Sequence, residues 1–173
     1  MIMPRGSDQL LLPVNPLFIG VSLLAALALQ LLPLGRHPAA PDVLLVVLAF
    51  WVVYQPHRVG VGLAFAFGLV IDVHSGAVLG QHALAYTLLG FGAVTIHRRL
   101  LWFGLGPQAL QVLALFAAAH AVELAARMMV GGMFPGWGIL WAPVFEALLW
   151  PPVAWLLLAP QRRAPDPDEN RPL

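Results

Sequence analysis

Apolar runs separated by short clusters of proline, glycine, arginine and histidine fill most of this chain. The first runs from Leu17 to Leu34, long enough for a spanning helix of about 17–25 residues. That length favours a retained helix over a cleaved signal peptide, although Arg5 and Ala26-Leu27-Ala28 imitate one. Pro41-Asp42 then opens a second run, Val43 to Tyr54, with Asp42 in the place of an amino-terminal cap. The turn at 55–58 leads to a third run, Val59 to Val73. It would rise only about 22 Å, short of a hydrocarbon core of about 30 Å, so the second and third runs are two thin crossings or one re-entrant hairpin. Further runs cover 77–96, 107–129 and 137–158, the last broken by Pro143 and Pro151-Pro152, which remove helix hydrogen bonds. The pattern predicts an all-α chain with about six transmembrane helices in 17–159, a polar tail over 1–16 and a disordered tail over 160–173.

Composition fixes the class. The 173 residues are 60% hydrophobic and 10% charged, with a mean hydropathy of +0.83, whereas soluble domains carry about a quarter charged residues. The chain therefore belongs in a lipid bilayer. A formal net charge of +1 argues against nucleic acid as a partner. Without cysteine there are no disulfides, thiolate nucleophiles or Cys-ligated metals. Six crossings put Arg5, Arg58, Arg98, Arg99, Arg162, Arg163 and Arg171 on one side, and Arg36 and Arg127 on the other. By the positive-inside rule both termini are cytoplasmic, and the turn from Asp72 to Gly80 lies on the outer face.

That turn concentrates an acid and two histidines, Asp72, His74 and His82, where a carboxylate is costly without partners. Gly60, Ala64, Gly68 and Asp72 recur every four residues, a small-residue face that lets helices approach closely and that a partner helix could use. Gly76 and Gly80 read as a second such pair. Asp72, His74 and His82 admit an acid–base or metal reading. The plainer one makes Asp72 the cap of the following helix, with Ser75 and His82 as turn and cap residues and Arg58 as an anchor at the cytoplasmic end. His82 and Tyr86 share a helix face. His120, Glu123 and Arg127 form one stripe, read either as a proton relay or metal site or, more simply, as a Glu123–Arg127 ion pair one turn apart. Glu146 is a mid-helix acid that is protonated, bonded to a carbonyl freed by proline, or facing a cavity. No nucleophile elbow, phosphate loop or zinc-protease motif is present, and Ser22 and Ser75 lack a base. The residues assign no catalytic, cofactor or metal site.

A resemblance goes further than composition. Pro41-Asp42, the exit from Trp51 to Arg58, and the stretch Gly68-Leu-Val-Ile-Asp72-Val-His74-Ser75-Gly76-Ala-Val-Leu-Gly80-Gln-His82-Ala-Leu-Ala-Tyr86 resemble the MreD family of bacterial rod shape-determining membrane proteins. Leu149-Trp150-Pro151 and an arginine-containing tail fit its carboxyl end. His74 departs from the pattern, and it, Glu123 and Glu146 inherit no role. The resemblance implies a non-enzymatic, cofactor-free scaffold of the bacterial inner membrane. Its implied partners are an MreC-like periplasmic protein, MreB and the peptidoglycan synthases. It also implies a fold like the substrate-binding subunits of energy-coupling-factor transporters. That likeness supplies the alternative function, a vitamin-type binding subunit with a pocket near His82, Tyr86, Glu123 and Glu146.

Overall fold

Among the described residues the shortest α-helix, Val43–Tyr54, is also the most enclosed, with every residue from Leu44 to Val53 buried. Its sequence is apolar all round, the composition of a helix buried in a core or in lipid, and here protein encloses it. The computed structural model describes residues 14–32 and 39–161. In chain order the described residues form α1 (Pro16–Leu31), α2 (Val43–Tyr54), α3 (Val61–Ser75), α4 (Gln81–Leu100), α5 (Leu105–Met129) and α6 (Ala142–Leu158). Short 3-10 turns at Trp137–Trp141 and Ala159–Gln161 flank α6. Most of both expected tails lies outside the described residues, as do the expected last turn of the first helix, Arg5, Arg36, Arg162, Arg163 and Arg171.

Helices α1, α4 and α6 pack around α2, while α3 lies on α4, α4 on α5 and α5 on α6. Trp51 ties the centre to α1 by donating from Nε1 to Ser22 Oγ at 2.8 Å. Two segments, Leu105–Met129 and Trp137–Gln161, are each 25 residues, long and apolar enough to cross a bilayer, whereas α1, α2 and α3 are shorter apolar helices. Large apolar side chains such as Leu17, Phe91, Leu110, Leu148 and Trp155 stand exposed around the outside. An exterior of this kind suits hydrocarbon better than water.

The α3–α4 contact is where small residues matter. A Cβ on Gly68 would sit 2.5 Å from the Ala83 Cα, and one on Gly90 would sit 3.2 Å from the Ala64 Cβ. The buried face of α3 at Ala64, Gly68 and Asp72 is thus filled by this chain's own α4 rather than open to a partner helix. Gly60 stands just outside it, as the residue before the first turn of α3. Gly76 and Gly80 differ from the expected packing pair. Both adopt left-handed backbone (φ 62° and 101°), and a Cβ on either would meet nothing. They are turn residues, and two such conformations so close together delay the start of α4 to Gln81.

Candidate functional site

The α3–α4 turn brings the chain back over Asp72, whose side chain has no exposed surface. Its Oδ2 accepts from the backbone N–H of Gly80 at 2.8 Å and of Ala83 at 3.3 Å. Its Oδ1 accepts from the His82 N–H and faces His82 Nδ1, both at 2.8 Å. The acid at the end of α3 therefore satisfies orphan donors at the start of α4, the work of a cap done from across a turn. Ser75 Oγ adds a contact to the Asp72 carbonyl at 3.4 Å.

His82 carries the chain of contacts onward. Its Nε2 lies 3.4 Å from Glu123 Oε1, which also accepts from Gln81 Nε2 at 3.3 Å. The other Glu123 oxygen lies 3.4 Å from His120 Nδ1. His120 Nε2 in turn lies 2.8 Å from Glu146 Oε1. That same oxygen accepts the backbone N–H of Asp42 at 3.0 Å. Asp42 Oδ1 caps α2 by accepting from the Leu45 N–H at 2.9 Å, and Oδ2 accepts from the Tyr86 hydroxyl. One polar chain thus links α3, α4, α5, α6 and the head of α2, with each imidazole standing between two carboxylates that would otherwise repel. Buried acids survive in such a setting because donors replace lost water.

One atom is left over. Glu146 Oε2 is buried without a hydrogen-bond partner. Beside this chain of contacts opens a cleft of about 1510 Å³, with Asp42, Gln81, His82, His120, Glu123 and Arg127 in its wall. Tyr86 and Glu146 are fully buried behind that wall. Among the described residues no three His, Asp or Glu side chains converge as metal ligands. They run in a line between helices.

The expected Glu123–Arg127 ion pair is corrected. Two imidazoles and the Gln81 amide converge on Glu123 from α4 and from one turn earlier on α5, drawing its carboxylate away from Arg127. Arg127 lines the cleft instead. Of the other singled-out residues, His74 also lines the cleft. Arg58 lies at the opposite end of the bundle, where its Nη1 donates to the Val14 carbonyl at 2.8 Å and holds the segment leading into α1. Ser22 is occupied by Trp51 and by the Ile19 carbonyl. Sequence reasoning marked Glu146 and His120 as unusual yet missed that they meet each other and the head of α2. The available signal was a shortage: acids in apolar helices need donors, and histidines are the donors the neighbouring helices carry.

The family model described as "rod shape-determining protein MreD" matches residues 12–159. The "Rod shape-determining protein MreD" of Haemophilus influenzae is 28% identical over 130 residues, covering 73% of this chain and 76% of that protein. No solved structure matches the chain significantly.

Proposed function

This chain belongs to the MreD family of rod shape-determining proteins, and from that premise we propose that it is a non-enzymatic, multi-pass scaffold of the bacterial inner membrane. In this reading it crosses the membrane six times, with both termini cytoplasmic and a fold akin to the substrate-binding subunits of energy-coupling-factor transporters. It pairs with an MreC-like periplasmic protein and so joins MreB and the peptidoglycan synthases in one assembly. Asp72, Gly68 and the turn glycines Gly76 and Gly80 serve the scaffold by fixing α3 on α4; Arg58 holds the cytoplasmic end.

The observation that carries this reading is how the polar side chains are used. Asp72, His82, Glu123, His120 and Asp42 are engaged with one another, with Glu146 or with backbone, across α3, α4, α5, α6 and the head of α2. An arrangement of that kind fixes helices relative to each other. A hydrolytic site would instead present a nucleophile beside a free base. Depletion in the rod-shaped host tests the function: cells should round up and recover their rods when the chain is resupplied. Rods that persist through depletion would overturn it.

The cleft of about 1510 Å³ favours a second reading, a small-molecule-binding transport subunit. His82 and Glu123 stand in its wall where such a ligand would be held. That reading requires a vitamin-sized molecule to follow the purified protein into the mass spectrometer.

A further inference from the structure

The polar cleft has an apolar annex. A groove of about 650 Å³ lies between the segment Ala39–Pro41 and one face of α6, walled by Phe145, Leu148 and Leu149. Ala40 and Pro41 line both the groove and the cleft, so the two adjoin. Phe145 and Leu148 are substantially exposed, which opens the groove sideways toward hydrocarbon. Glu146 sits at the seam. Its neighbours on α6 wall the groove, its partners Asp42 and His120 wall the cleft, and its Oε2 is buried and unpartnered.

We propose that groove and cleft together hold one phospholipid with an ammonium-bearing headgroup, its acyl chain in the groove and its head in the cleft. The charge pattern selects the head. Glu123 and Arg127 stand one helical turn apart in the cleft wall, about 5–6 Å between Cβ atoms, a separation suited to the ammonium and phosphate of a zwitterion. Arg127 has no carboxylate within ion-pairing distance among the described residues, and the Glu123 side chain, which faces His82 and His120, keeps 21% of its surface exposed. The cleft wall carries Asp42 and Glu123 together with Arg127, and the imidazoles of His82 and His120 already face the carboxylates between the helices. A purely anionic head would match Arg127 and leave the exposed edge of Glu123 without a donor, whereas an ammonium brings N–H donors to that carboxylate. A partner's apolar helix fits less well, because seating it beside the cleft would strip water from these charges.

Native mass spectrometry of the full-length protein in detergent, with equal phosphatidylethanolamine and phosphatidylglycerol, tests this. The wild type should retain one phosphatidylethanolamine at about tenfold preference, the scale of one charge-assisted hydrogen bond. Arg127→Ala should reduce that preference severalfold and Arg127→Lys should largely keep it. Ala40→Trp, at an exposed position, should block the groove and lose the retained lipid while leaving the circular-dichroism spectrum unchanged. Equal retention of the two lipids, or a preference that survives both Arg127→Ala and Ala40→Trp, would mean unspecific boundary lipid and overturn the proposal. Cell shape is a separate readout, so failure here leaves the scaffold reading standing.

Discussion

Asp72 accepts from three backbone N–H groups and faces one imidazole, all within 3.3 Å and without exposed surface. Removing it strands those donors. Asp72→Ala should therefore cost about 3–5 kcal/mol, the range for removing one partner of a buried charged contact. Asp72→Asn should cost less because its amide oxygen still accepts. Thermal unfolding in detergent checks the order, and an alanine variant as stable as wild type would contradict it. Gly68 offers a steric counterpart. Because its absent Cβ would meet the Ala83 backbone, Gly68→Val should cost up to about 3 kcal/mol. Gly104→Ala, where a Cβ meets nothing, should stay within about 0.5 kcal/mol. At this scale the sequence exposes individual residues well, since a charge within an apolar run stands out. It does not expose their pairings. Glu146 and Asp42 meet across 104 positions, and no local spacing rule reaches that far.

Helices were legible in proportion to how far local chemistry governs them. The apolar run and the Asp42 cap predict α2 at Val43–Tyr54, and the helix has those bounds. The start of α4 lies four residues beyond the expected Ala77 because Gly76 and Gly80 take left-handed backbone. Their four-residue spacing imitated a helical small-residue face, and periodicity alone cannot distinguish the two uses of glycine. The uniform apolarity of α2 suits lipid as well as protein, so neither its burial on all sides nor the helices that enclose it can be read from it. The Trp51–Ser22 contact between α1 and α2 gives an element-scale prediction. Trp51→Phe and Ser22→Ala should each cost about 1 kcal/mol for the lost hydrogen bond, beyond any change in packing. The double variant should cost less than the sum, since both remove the same contact. Full additivity in denaturation would mean the bond contributes nothing.

For the whole molecule, the described arginines divide by end. Arg58, Arg98 and Arg99 flank the carboxyl ends of α2 and α4, whereas Arg127 lies by the cleft at the other end. From this division the positive-inside rule predicts a cleft on the periplasmic side. A reporter active only in the periplasm should stay inactive when fused at either terminus, and activity at one of them would overturn the even number of crossings. In the scaffold proposed for rod shape, the contribution of this bundle is a set of helices locked by buried polar contacts. The most direct test of the scaffold claim is capture of the tagged, full-length chain from detergent-solubilised membranes of its host. An MreC-like periplasmic protein should co-purify, and do so less with Asp72→Ala; co-purification of a transporter ATPase module in its place would contradict the account.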